Sequence, residues 1–458
     1  MNELIGFGSP WVTALWAVSL AAALAWLGRE LLLGRLVTIP SFVVGLSFLA
    51  PLLVQYPFTF SPINILATGT RGFSRYPVHV DAAFLISLVG MVSFVVGFLI
   101  PIRVRDTFAP AAFVSAGVRI WAQKVFLYIS LAVTIAAFAA MFLLGMLGAG
   151  GARAGAMMLP ALRPLYNIVH TILPLLIALT LAVGWQRRRR FILLMAAVEI
   201  SLAVLTGTRA AVLGGILLFA VAVLCRRSLS TGLSGSMAVR VIVMAAVLLV
   251  AAIYMGDVRR GQYNPLLSIA GIGVHLFYGN TFSDLRDFAW VHAYWNGTYL
   301  WGKTELAGLL AFAPSAMIPF RQDWGWGVVS TTWTGLNSKV HPGLRPGSFG
   351  ELYFNFGIPG VVVGGLLFGY IARRLHAVTQ RAARLPDVHT ATLEIIAAFA
   401  TLGLVKSFLI TAGFFEVYVV VLTLLALQIM AAVARGSAQL LDTGRYASVG
   451  PIPSTHDP

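Results

Sequence analysis

The chain has 458 residues, of which 59% are hydrophobic and only 10% charged, and its mean hydropathy is +0.87. A soluble domain carries about 25% charged residues, so a surface of ordinary polarity in contact with water is excluded. A formal charge of +16 would suggest nucleic acid in a soluble protein. Here much of it falls in short connections between apolar runs, where it sets orientation in a bilayer and calls for no nucleic-acid partner.

Many apolar runs approach the ~20 residues that cross ~30 Å of hydrocarbon. They show no period-two alternation, which points to helices rather than barrel strands. In chain order the expected spans are 11–27, 36–54, 82–101, 125–148, 165–185, 191–206, 210–224, 241–255, 352–371, 392–411 and 417–434. The fold class is therefore all-α: a polytopic membrane protein of about 11 transmembrane helices with a large, partly helical loop. Met1 to Pro10 holds one acidic residue and no basic one, so the first span is expected to persist rather than be removed as a signal peptide.

Arg29 and Arg35, Arg103 and Arg105, Arg187 to Arg190, Arg226 and Arg227, and Arg373, Arg374, Arg381 and Arg384 all fall on one side of this threading. By the positive-inside rule that side is cytoplasmic, which places the N-terminus outside. Four regions follow: 1–255 with the first eight helices, an outer loop over 256–350, three further helices within 351–434, and a cytoplasmic tail over 435–458. Cys225 is the sole cysteine, so packing rather than an internal disulfide must hold the loop. The loop's length marks it as functional or disordered, and its many aromatic residues argue for order. Two of its stretches, about 263–279 and 305–320, are apolar enough to lie in the membrane interface.

About eleven cations sit on the outer side against the topology rule: Arg71, Arg75, Arg153, Arg163, Arg259, Arg260, Arg286, Lys303, Arg321, Lys339 and Arg345. Solvation of the loop or contact with headgroups accounts for some of them. As a group they suit an anionic ligand, because guanidinium groups grip phosphates bidentately. Arg209 stands between two short spans, near the edge of the hydrocarbon, where a cation is a functional candidate; the alternatives are pairing with Glu199 or snorkelling. Lys406, late in the tenth span, is expected to snorkel to the outer interface.

The sequence Thr206-Gly207-Thr208-Arg209 resembles the small-polar-Arg signature of bacterial O-antigen polymerases and ligases. Within the loop, YLWGKTELAGLLAFAPSAMIP over Tyr299 to Pro319 resembles the G-K-T-Y…I-P stretch of Wzy-type oligosaccharide repeat-unit polymerases. Gly350-Glu351-Leu352-Tyr353-Phe354-Asn355-Phe356-Gly357 resembles that family's G-E-x-Y-x-N-F-G entry into a late helix. Arg286 and Gly302 are separated by fifteen residues, as in its Arg-x15-Gly loop motif. The likeness covers about 206–375. In one departure Phe320 follows Ile318-Pro319 and Arg321 comes next, where the family often has arginine directly.

The resemblance implies an undecaprenyl-diphosphate-dependent glycosyltransferase of the bacterial inner membrane, working at the periplasmic face. A lipid-linked oligosaccharide would be transferred en bloc to the outer sugar of a lipid-linked repeat unit. A flippase and a chain-length regulator are the protein partners such an enzyme implies. An O-antigen ligase and a lipid-linked oligosaccharide transporter are the alternatives, although internal repeats of the transporter kind are not found.

That chemistry sets three tasks. The departing diphosphate needs positive charge. With no DxD, HExxH or tight His/Asp cluster in the sequence, no metal or other cofactor is expected, and arginines take the part: Arg209, Arg260, Arg259 and Arg345, with Arg153 and Arg286 behind them. The acceptor hydroxyl needs a base or an orienting group. His341 is the first candidate because its ordinary pKa of about 6.5 suits neutral pH; Glu351, which also suits a helix N-terminus, and Asp287, which with Asp284 suits a local salt-bridge network around Arg286, are the others. Sugar rings need aromatic faces, offered by Trp295, Tyr299, Trp301 and Tyr353 among others, unless these form an interfacial belt.

Overall fold

The computed structural model describes residues 5–61, 77–101, 108–147, 162–186, 189–207, 209–258, 271–279, 282–313, 317–337, 343–409 and 413–447, with a few isolated positions between. The side chains of 186, 209–212, 252, 255–258 and 436–447 lie outside the description. The described residues are helical or irregular, with no strand among them. Eight helices among them are long and apolar enough to cross a membrane, which makes this a multi-pass membrane architecture.

The long helices are α1 (Pro10–Leu32), α2 (Ile39–Val54), α3 (Val80–Leu99), α4 (Ala109–Trp121), α5 (Lys124–Leu143), α6 (Arg163–Gln186), α7 (Arg190–Leu205), α8 (Arg209–Ser230) and α9 (Gly235–Val258). The loop then contributes α10 (Ile272–Phe277), α11 (Asp284–Tyr294), α12 (Lys303–Leu309), α13 (Pro319–Trp324) and α14 (Trp326–Thr334). The chain closes with α15 (Gly347–Ala383), α16 (Val388–Phe408) and α17 (Phe414–Ala447). All eleven expected spans fall on helices, but α2, α7 and α9 are not among the eight. α2 widens into a π-helix over Val44–Val54. Pro51 lies inside that segment, and a proline there cannot supply the bond an α-ladder needs.

α4 was not expected. It is too short to span, and it packs against α16 and α17. Trp121 at its end is fully buried and donates Nε1–H to Ser130 Oγ at 2.7 Å. Asp387 starts α16 by accepting from the amides of His389 and Thr390 at 3.2 and 2.9 Å, as an N-cap should.

The largest helix–helix contact is between α3 and α15, and glycine makes it. A Cβ on Gly369 would collide with the backbone carbonyl of Phe94, and one on Gly97 with the carbonyl of Leu366. Lipid tails are as apolar as leucine, so membrane helices associate through such close backbone approach rather than through burial of oil. Large apolar side chains such as Val18, Leu143, Val363 and Val433 stay on the outside of the bundle, where lipid is their solvent.

Two ends can be told apart. At one, Gly34 beyond α1 accepts from Ser228 Oγ at 2.9 Å and from the Leu233 amide at 3.0 Å. This is the end where Arg29, Arg226, Arg227, Arg381 and Arg384 close their helices. At the other, the loop packs on the bundle: Gln55 donates to the Leu276 carbonyl at 2.8 Å, and Tyr418 to that of Leu309 at 2.6 Å. There too Asp81 holds the chain start, accepting from the Ser9 amide and hydroxyl at 2.7 and 2.8 Å and from Tyr56 Oη at 2.7 Å.

Substituting Gly369 with valine places a branched side chain against the Phe94 carbonyl. Overpacking of this kind costs about 1–3 kcal/mol. The expected outcome is a lower melting temperature and reduced membrane accumulation, measured by fluorescence-detected size exclusion, whereas valine in place of the uncrowded Gly28 should be neutral.

Candidate functional site at the loop-bearing end

The loop is fastened to α15 by a break in that helix. Gly357 has φ 66° and ψ −158° inside it, and Pro359 follows. Proline cannot donate to the carbonyl four residues back, which is that of Asn355; the break at Gly357 likewise interrupts the ladder at Phe354. The extended segment before α12 takes both acceptors: the Leu300 amide donates to Phe354 O at 2.9 Å and the Trp301 amide to Asn355 O at 3.0 Å. A Cβ on Gly357 would sit 3.2 Å from the Tyr299 ring, so the left-handed turn and the close approach both require glycine.

This docking organises the sugar-binding candidates. Trp295, Tyr299 and Tyr353 form one aromatic group, with ring centroids 5.2 Å apart for Trp295–Tyr299 and 5.4 Å for Trp295–Tyr353. Beneath them lies the fully buried Phe354. Trp301 is different. It is 73% exposed, with φ 52°, a backbone region that costs a residue with a bulky side chain roughly 1–2 kcal/mol. A polar chain runs under the same segment, from Asn355 Nδ2 to Thr304 Oγ1 at 2.6 Å and from Thr304 Oγ1 to Glu305 at 3.3 Å. Burial pushes the Glu305 carboxyl up to about 7. Sequence reasoning passed over Glu305, although it directly follows the Gly302-Lys303-Thr304 motif.

The charged candidates divide. Arg286 and Asp287 form a buried pair, Nη2 to Oδ1 at 2.8 Å and Nε to Oδ1 at 3.1 Å. Asp287 also accepts from Ser283 Oγ and from the Arg345 amide, both at 3.1 Å. The pair therefore knits α11 to the start of α15. Glu351 is 1% exposed, and its carbonyl accepts from Asn355 Nδ2 at 3.0 Å. Arg345 is exposed. His341, Arg259, Arg260 and Arg153 lie outside the described residues, as does the side chain of Arg209, which opens α8 after a left-handed Gly207. Glu199, the expected alternative partner of Arg209, is fully buried and accepts from Thr180 Oγ1 at 3.1 Å.

Asp284 and Lys406 give the site its electrostatics. Lys406 does not snorkel outward along lipid as expected. Its ammonium reaches Ser47 Oγ of α2 at 3.4 Å, and it lines two cavities. One, of about 50 Å³, sets Lys406 beside Asp284, Ser47, Ser87 and Ser348 within otherwise apolar walls such as Phe48, Leu52 and Phe349. The other, of about 320 Å³, is a groove walled by Phe42, Leu46, Leu217, Leu218 and Phe399, with Lys406 the one charged side chain in its wall among the described residues. Loss of water raises the pKa of Asp284, and the neighbouring Arg345 and Lys406 act in the opposite sense. Among the described residues no three His, Cys, Asp or Glu side chains gather as a metal-binding group.

His79 at the start of α3 and His292 of α11 meet Nδ1 to Nδ1 at 2.9 Å, which requires at least one ring nitrogen to be unprotonated. Burial first, then His79, lowers the His292 pKa to about 4. An unfolded chain then takes up this proton near 6.5 and the folded one near 4, so stability from this contact is complete above pH 6.5 and is lost as pH falls toward 4. Protection factors of α11 amides, corrected for the intrinsic pH dependence of exchange, should fall as pH drops through that window in the native chain and stay level in His292→Phe.

No family model, no curated protein and no solved structure matches this chain.

Proposed function

We propose that the chain is a Wzy-type polymerase that extends undecaprenyl-diphosphate-linked oligosaccharides, with the loop-bearing end facing the periplasm and the arginine-rich end facing the cytoplasm of a bacterial inner membrane. The observation that carries this reading is the position of Lys406, at the junction of an apolar groove between helices and a small pocket under the loop that holds Asp284 and three serines. An amphiphile with a long hydrocarbon tail and an anionic head fits that junction: the tail takes the groove, and the diphosphate meets Lys406, with Arg345 beside it. The sequence motifs around Thr206, Gly302 and Asn355 narrow the amphiphile to a polyprenyl diphosphate sugar.

In the proposed reaction a hydroxyl oxygen of the acceptor sugar bonds to the anomeric carbon of the donor glycan. The bond from that carbon to the diphosphate oxygen breaks, and undecaprenyl diphosphate leaves with the bonding pair. Charge grows on the diphosphate as this happens, and a fixed cation in a site of low dielectric stabilises it more than water would. The hydroxyl proton passes to a carboxylate. Asp284 is placed for this beside Lys406, and its raised pKa brings it nearer to neutrality, where a base works best. Trp301 supplies the exposed ring for a sugar face, and the unfavourable backbone at that position is consistent with a functional constraint.

Purified protein in nanodiscs, supplied with lipid-linked repeat units alone, should lengthen chains without nucleotide; no lengthening sinks the reading. Lys406→Ala should shift products to single repeat units, with elongation at least about tenfold slower, while Lys406→Arg keeps a measurable part. Unchanged chain length in an abundant Lys406→Ala protein would remove the carrying observation.

Trp301→Gly should move stability and activity in different directions. Relief of the left-handed backbone leaves the melting temperature unchanged or higher, while the KM for acceptor rises several-fold. A normal KM would exclude Trp301 from sugar binding.

A further inference from the structure

A third cavity lies at the opposite end of α16, outside the site described above. It measures about 320 Å³ and lies between α4, the end of α15 and the start of α16. Glu394 of α16 accepts from Ser115 Oγ of α4 at 2.6 Å and faces Arg119 Nη1 at 3.5 Å. That contact engages one edge of the guanidinium and leaves 55% of the Arg119 side chain exposed. Arg381 on the last turn of α15 forms the other cationic rim, and Phe108 and Leu385 are among the apolar residues of the wall.

Depth decides what fits. Glu394 is six residues into α16, about 9 Å along its axis from Val388. Arg381 is on the exposed last turn of α15, and Leu385 lies in the exposed connection just before α16. The cavity therefore extends from the headgroup level, where Arg381 and Leu385 stand, to the level at which Arg119 meets Glu394, with Phe108, Ala112, Val378 and Ala382 among its apolar walls. Basic pockets between membrane helices at such a level take the heads of anionic lipids. A soluble phosphate would satisfy the arginines and leave the apolar walls wet.

We propose that this cavity binds one anionic phospholipid of the leaflet at the arginine-rich end, its phosphate between Arg119 and Arg381 and an acyl chain along Phe108 and Leu385. Glu394 is a positioning residue: it holds Arg119 at the rim so that the phosphate finds one guanidinium already oriented. The bound lipid fills the seam between α4 and the α15–α16 hairpin. It thereby fixes α4, which is too short to be held by the bilayer itself.

The test uses the full chain and native mass spectrometry, with phosphatidylglycerol or phosphatidylcholine of identical acyl chains added. The wild type should retain one phosphatidylglycerol at least tenfold more than phosphatidylcholine, and Arg119→Gln/Arg381→Gln should lose that preference. A charge-matched control, Arg29→Gln/Arg435→Gln, should keep it. Glycerol phosphate, the headgroup without chains, should neither bind at comparable occupancy nor compete. Equal retention of the two lipids, retention by the double variant equal to wild type, loss in the charge-matched control, or full competition by glycerol phosphate each overturns the proposal. Should the double variant not fold, Leu385→Trp, which fills the acyl wall and keeps every charge, must itself lower phosphatidylglycerol retention; if it does not, the proposal fails.

Discussion

The structure turns on two backbone carbonyls. A membrane helix ordinarily consumes its own hydrogen-bonding groups, and one left unpaired in a buried setting costs about 1–3 kcal/mol. Gly357 and Pro359 interrupt that economy in α15, and the amides of Leu300 and Trp301 restore it. A loop that could otherwise pack anywhere on the bundle surface is thereby fixed in register to a single spanning helix. The aromatic group, the Thr304–Asn355 contact and the exposed Trp301 all inherit their positions from those two bonds.

The same logic governs charge. Within α16 the ionisable residues at the two ends, Glu394 and Lys406, each face a cavity of about 320 Å³. Each is stabilised by a hydroxyl from a neighbouring helix, Ser115 for the carboxylate and Ser47 for the ammonium. Twelve residues of helix separate them, about 18 Å, so the two sites lie toward opposite ends of α16. Ionisable groups inside a membrane protein persist where they meet partners or water-filled space, and both of these do. The Arg286–Asp287 pair shows the contrasting case. It is buried and also engages the Arg345 amide, which makes it a tie between α11 and α15.

Much of this was legible in the chain because the bilayer is an undemanding reader. Any run of sufficient length and apolarity must be helical there, and each expected span falls on a helix. Arg29, Arg226, Arg227, Arg381 and Arg384 close helices at one end, while Arg103, Arg105, Arg187 and Arg188 lie outside the described residues. The motif ending in Asn355-Phe356-Gly357 pointed to an entry into a late helix, and that stretch lies in the first turns of α15. What sequence patterning missed depends on partners distant in the chain. Lys406 was expected to snorkel because its own helix offers nothing else; Ser47 and Asp284, which draw it inward, come from α2 and α11. α4 was passed over because it lacks the length of a span, and only packing against α16 and α17 gives it a place.

The sequence by itself determined an all-helical membrane chain, the location of its apolar helices and the segregation of cations to helix ends, because hydropathy and length are local properties that lipid converts directly into structure. Only the tertiary structure decided that α3 and α15 meet through glycine, that a broken helix captures the loop, and that Lys406 and Asp284 share a pocket. These are contacts between residues far apart in the chain, and their energies depend on distance and burial, which no local pattern encodes.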